Sequence, residues 1–378
     1  MKDDSTEISA RRRYFRYAVF LLTVLLVMSL GIALIPQQPP APAETPFSER
    51  ARAAALADTL ALRAAGQQLA GAVTGDGAPE TAAAIGPVVT LLTIQARALV
   101  LPGDPTASAV ETEAGREAAA GPSSAAELAA ALSTSGARRL TDALGADGGM
   151  ARLLAGAGAA QLLAARDVAE SAGVPPQELP GWQEPAGPSA PATPATSAAA
   201  CTSAGPSGEA GPSGEGEGTG AGLDSALTAA LGSELETVYG YQAALTRLDP
   251  AAAAQASGLL AEHLDLADKA RAYAAVHCAP VPPAQPGYVL DGTFLGAPAA
   301  GLARLESGTL TAFGDVVALS AGPTRSWAVS ALVAAARRTL LWGGDPGPVP
   351  GLALDESQLP PVPETPAGAV STPSRAAS

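Results

Sequence analysis

The sequence predicts an all-α protein in which an N-terminal transmembrane helix precedes two antiparallel four-helix bundles joined by a disordered Pro/Gly/Ser linker. Three observations carry this. Alanine and leucine, both good helix formers, dominate a 378-residue chain in which aromatics make only 4%. Wherever the apolar periodicity is clear, it is helical. The periodic stretches fall into two groups, separated by a run too poor in large apolar residues to order itself. The net charge of −14 sets the surface against phosphate backbones, which excludes nucleic acid as a partner.

Residues 1–17 read as a cytoplasmic basic tail ending in RRRYFRY, Arg11 to Tyr17. The next segment, AVFLLTVLLVMSLGIALI from Ala18 to Ile35, carries no charge. As a helix of about 18 residues it would span roughly 27 Å, close to a bilayer core. The arginines before it would hold the N-terminus in the cytoplasm, and Tyr14, Phe15 and Tyr17 suit the interface. On this reading the chain is a single-pass cell-membrane protein with its bulk outside the cytoplasm. The rival is a cleaved signal peptide, since APA at Ala41 to Ala43 resembles a small-residue cleavage site. Residues 36–46, PQQPPAPAETP, form a stiff Pro-rich spacer.

Residues 47–174 read as the first bundle, with helices near 47–74, 80–101, 123–145 and 149–173. Pro87 would kink or restart the second helix, and Ser124 with Glu127 makes a capping box at the third. The region holds no histidine or cysteine, so it reads as structural. Residues 175–222 are the linker; within it GPSGEAGPSGEG, Gly205 to Gly216, parses as four Gly-X-Y triplets, too short a run for a triple helix. Residues 223–345 form the second bundle, with helices near 223–248, 250–278, 299–320 and 324–343. Asp249 followed by Pro250 caps and starts its second helix, and a long crossover, Val281 to Pro298, separates two helical hairpins. Residues 346–378 read as a disordered tail. The chain has two cysteines, Cys201 in the linker and Cys278 at a helix end, which either pair or remain free thiols; without a histidine cluster they make no zinc site.

The second bundle carries the candidate site. On its first helix Leu227, Leu231, Leu235, Val238, Tyr241 and Leu245 share one face, and Glu234 falls within it. His263 sits among Leu259, Leu266 and Ala270 on the second helix, and Glu306 among Leu302, Thr309, Leu310 and Phe313 on the third. An unpaired buried carboxylate costs several kcal/mol, so three ionisable groups facing one core are expected to meet. Tyr241 brings a hydroxyl to the same face. On the fourth helix Arg338 lines up with Trp327, Ala331, Ala334 and Leu341, although Val329, Leu332, Val333 and Leu340 define a competing face. If the first face is the inner one, the guanidinium reaches both carboxylates in the place a metal would take.

Glu234, Val238-Tyr239-Gly240-Tyr241, His263, Leu305-Glu306, Ala335-Ala336-Arg337-Arg338 and Trp342 together resemble the ferritin-like domain of unknown function found in high-GC Gram-positive bacteria. The resemblance covers about residues 223–345 and implies a secreted or membrane-associated protein with a helical region before the domain. Ferritin-like di-iron sites use a Glu from each of two helices and Glu-x-x-His from the other two. Here Leu260 stands three before His263 and Ala274 three before His277, so the di-iron pattern is incomplete. The resulting expectation is a membrane-anchored, extracytoplasmic ferritin-like protein that needs no cofactor and acts as a binding or structural module of the cell envelope, on an envelope protein or a small ligand, with an enzymatic role left open. Two alternatives stand beside it. One is a mononuclear metal-binding protein or oxidoreductase holding one divalent metal ion at Glu234, His263 and Glu306. The other is a small-molecule carrier that binds its ligand in the bundle core.

Overall fold

The computed structural model describes residues 4–33, 45–72, 79–101, 121–175, 222–283 and 285–362, and among these there are ten α-helices, one short 3-10 helix and no strand. Met1–Thr45 makes one compact unit and Pro46–Ser378 a second.

The first unit contains α1, Asp4–Ala33. It does not supply the expected transmembrane anchor, because among the described residues no helix is long and apolar enough to cross a membrane. The reason lies in where α1 carries its charge. Asp4, Glu7, Arg11, Arg12, Arg13 and Arg16 occupy its first half. Among the described residues the uncharged part, Tyr17 to Ala33, is about 17 residues or roughly 25 Å, against the roughly 30 Å of a hydrocarbon core. Leu34 and Ile35, which would complete the apolar run, lie outside the described residues, as does Ala41 to Ala43. The membrane partnership and the single-pass topology with a cytoplasmic N-terminus fall with the anchor.

The second unit is built from α2 (Phe47–Ala72), α3 (Pro79–Leu99), α4 (Ala125–Gly145), α5 (Gly148–Ser171), α6 (Leu223–Ala244), α7 (Pro250–Val276), α8 (Gly292–Gly296), α9 (Pro298–Leu319) and α10 (Gly322–Leu341). Local chemistry sets the boundaries. Ser124 accepts from the Glu127 amide at 3.2 Å to start α4, but Glu127 reaches back to the amide and hydroxyl of Ser123, one residue beyond the expected box. Asp249 Oδ1 accepts from the amides of Ala251 and Ala252, which opens α7 directly behind Pro250. Helix α3 runs through Pro87 without a break. The short α8 is an addition to the expected crossover: Asp291 accepts from the Phe294 amide at 2.7 Å and so closes one turn, which buries Phe294.

The two bundles are not separate bodies on a tether. Helix α5 packs on α4 as a hairpin, and also on α9 and α10 of the second bundle. It has no polar face to offer water: from Ala151 to Ala165 its side chains are small or apolar apart from Arg152 and Gln161, and nearly all are buried. A helix apolar all round belongs in the middle of a protein. One continuous core therefore joins Leu154 and Ala155 to Phe313, Trp327 and Leu332. Arg152 crosses the joint to Asp315 at 2.5 Å, and Arg325 donates to the Ala146 carbonyl at 2.6 Å. The segment joining α5 to α6 lies outside the described residues between 176 and 221.

The stretch after Asp345 also differs from expectation. Residues 345–362 lie across the joint with Val349 buried. Gln95 donates to the Pro348 carbonyl at 2.9 Å and Arg152 to that of Gly351 at 2.6 Å. Arg97 gathers the carbonyls of Glu356, Leu359 and Pro360. Residues 363–378 lie outside the described residues.

Candidate metal centre

Four helices of the second bundle each point one charged side chain into the same core: Glu234 from α6, His263 from α7, Glu306 from α9 and Arg338 from α10. All four are at most 1% exposed. His263 lies between the two carboxylates, with Nδ1 at 2.7 Å from Glu234 Oε2 and Nε2 at 2.9 Å from Glu306 Oε1. An imidazole flanked by two carboxylates donates from both nitrogens only when it is protonated. Burial alone would hold its pKa down, but the hydrogen bonds to Glu234 and Glu306 outweigh burial and raise it above the ordinary imidazole value.

Glu306 is the hub. Its Oε1 also accepts from the Tyr241 hydroxyl at 2.5 Å, and its Oε2 accepts from Arg338 Nε at 2.9 Å. Burial pushes this carboxyl up, but the His263 bond and the Arg338 charge hold it below its usual range. Tyr241 in turn accepts from Trp342 Nε1 at 2.6 Å, and its ring lies 4.8 Å from that of His263. Burial, reinforced by the Glu306 charge, pushes the phenol far above its ordinary value, so Tyr241 stays a neutral donor.

The arrangement differs from the sequence expectation in one respect. Arg338 bonds to Glu306 but not to Glu234; it is the imidazole that links the two carboxylates. The competing face proposed for α10 is buried in part, since Val329 and Leu332 pack inward along with Trp327 and Ala331. Helix α10 is clasped between α9 and α5, so both faces are inner ones over its first half, while Leu340 and Leu341 at its end are exposed. Cys278, at the end of α7, is disulfide-bonded, while Cys201 lies outside the described residues.

Two polar atoms of this cluster are buried without a hydrogen-bond partner, Glu234 Oε1 and Arg338 Nη2. As the side chains stand, no group of three or more His, Cys, Asp or Glu among the described residues is arranged to hold a metal. The cause is visible in the bonds: both imidazole nitrogens are occupied by carboxylates.

Residues 226–354 match the family described as a domain of unknown function, DUF4439. No curated protein and no solved structure matches the chain. The matched span begins in α6 and ends just past Gly351, so it contains the whole cluster and part of the segment that crosses to the first bundle. What the comparison supports is therefore an all-helical domain that matches DUF4439 over part of the chain; the membrane anchor that accompanied the ferritin-like resemblance is not found among the described residues. A complete di-iron site is not evident, as the missing Glu-x-x-His pairs require. The expected role as a membrane-anchored module of the envelope falls with the anchor.

The Trp342–Tyr241 bond is the part of the site that sequence reasoning missed. Trp342 follows the last residue of α10 and carries no periodic signal of its own. The clue was Tyr241, a hydroxyl on an inward face, which when buried requires a partner.

Proposed function

We propose that the matched domain binds one divalent metal ion through Glu234, His263 and Glu306, in exchange for the proton that His263 holds between the two carboxylates. The observation carrying this reading is one imidazole from α7 with a carboxylate from each of two other helices within 2.9 Å of its nitrogens, in a closed core. Two oxygen donors and one nitrogen donor suit zinc, manganese or ferrous iron, with room for a further ligand. Loss of one proton from the imidazolium frees a nitrogen lone pair. Glu234 Oε1, buried without a partner, offers a second carboxylate oxygen on the same side chain. Tyr241 and Arg338 would keep Glu306 oriented while the proton leaves.

Calorimetric titration of chelator-treated protein with Co2+, run in two buffers of different ionisation enthalpy, counts metal and protons together. The expected result is one Co2+ per chain with about one proton released. Failure to bind at that stoichiometry, or binding with no proton released, defeats the reading.

A second reading rests on the Arg338–Glu306 pair. With His263 protonated, two cations and two carboxylates balance without any metal, and the cluster becomes an ion network that fixes how the four helices sit. Protein that takes up no Co2+ would favour it.

A further inference from the structure

We infer that Glu262, outside the ligand set, draws Arg338 off Glu306 when the cation arrives, and so sets how tightly the cation binds; this rests on the metal reading above. Arg338 touches the cluster through one edge of its guanidinium, Nε on Glu306 Oε2 at 2.9 Å. Its Nη1 stands 4.0 Å from Glu262 Oε2, about 1 Å beyond hydrogen-bond distance, and its Nη2 has no hydrogen-bond partner. The charged and hydroxyl groups facing it are Glu306, Glu234, Tyr241 and Glu262. The first three are fully buried, whereas the Glu262 side chain is 49% exposed. A small turn of the last torsions of Arg338 therefore exchanges a buried carboxylate for one at the rim.

The charge balance favours that exchange. With a neutral imidazole, Glu234, Glu306 and Glu262 against the single guanidinium leave two negative charges, which a divalent cation cancels. Without Glu262 only one remains, and a metal ion would leave the buried site positively charged beside a guanidinium that has lost its partner. Such a site disfavours the ion. Glu262 and His263 are successive on α7 and so point about 100° apart. One helix thus presents the ligand inward and the counter-charge at the rim.

The test is Co2+ binding to the full chain, followed by visible absorption, in the wild type, Glu262→Gln and Asp268→Asn. Asp268 lies on the same helix with its side chain 77% exposed and paired to Arg271, so its variant removes the same charge without facing Arg338. Glu262→Gln is expected to weaken Co2+ binding on the order of tenfold with unchanged ligand-field bands, since one rim charge acts across a partly screened distance. Asp268→Asn is expected to stay within about twofold, as a solvated pair of this kind does. Wild-type affinity in Glu262→Gln overturns the inference and leaves the metal reading standing. An altered band pattern also overturns it, because Glu262 would then be a ligand. A wild type that binds no Co2+ defeats the metal reading itself, and the inference with it.

Discussion

Arg338 donates from Nε to Glu306 Oε2 across 2.9 Å, with both side chains closed to solvent. The neighbouring Arg337 is exposed. The pair makes an internal comparison on α10, because the two arginines share their chemistry and differ in direction. Arg338→Met leaves Glu306 buried with His263 and Tyr241 as its remaining donors, and the expected cost is about 3 kcal/mol, the penalty for a charge stripped of its ion-pair partner. Arg337→Met is expected to change stability by under about 0.5 kcal/mol. Urea unfolding of the chelator-treated proteins measures both. Equal and small losses would mean that the buried guanidinium contributes nothing to holding α9 against α10.

The same network predicts how stability follows pH. His263 has its pKa raised in the folded protein, against the pull of burial, by its two carboxylate bonds. Its contribution is therefore complete below the ordinary imidazole value and is lost as pH rises through the folded value. Glu306 is held below its usual range, against burial, by His263 and Arg338, so its contribution is complete above the ordinary carboxylate value and is lost as pH falls through the folded one. Melting temperature of metal-free protein should peak between these limits and decline on both sides. His263→Gln removes the titrating group and should flatten the alkaline decline; it should also shrink the acid one, which Arg338 alone would then sustain, because His263 helps to hold Glu306 down. An alkaline decline of equal size in that variant would show that some other group causes it.

Much of this site was legible in the sequence because each helix carries a single ionisable residue on an otherwise apolar stripe. Glu234, His263 and Glu306 break the pattern of their faces, and a buried charge requires partners wherever the backbone puts it. What connects the two bundles was harder to read. Helix α5 signals its central place only through a missing polar face, and a run such as LLAGAGAAQLLAA, Leu153 to Ala165, counts as amphipathic if alanine is scored neutral. The residues after Asp345 mislead for the opposite reason. Their prolines and glycines resemble those of a disordered tail, but Gly351 serves there as the one residue small enough to let the chain lie against α9 and α10. The anchor was read from the composition of one apolar run, and among the described residues no helix is long and apolar enough to cross a membrane.

Gly351 provides the test of that joint. It adopts a φ of 82°, in the left-handed region, and a Cβ placed there would meet Leu332 Cδ1 at 2.8 Å and the Leu310 carbonyl oxygen at 2.9 Å. Gly347, four residues earlier, has a φ of 77° but open space around its Cβ position. Alanine at either position adds backbone strain of about 1 kcal/mol. Only Gly351→Ala also forces a methyl into the packed joint, where overpacking costs a further 1–3 kcal/mol or so. Gly351→Ala should therefore lower the melting temperature markedly more than Gly347→Ala. Because one core runs through both bundles, the loss should appear as a downward shift of a single calorimetric transition. Two resolved transitions in the wild type, only one of them moved by Gly351→Ala, would mean that the bundles fold independently and that the segment merely rests on them.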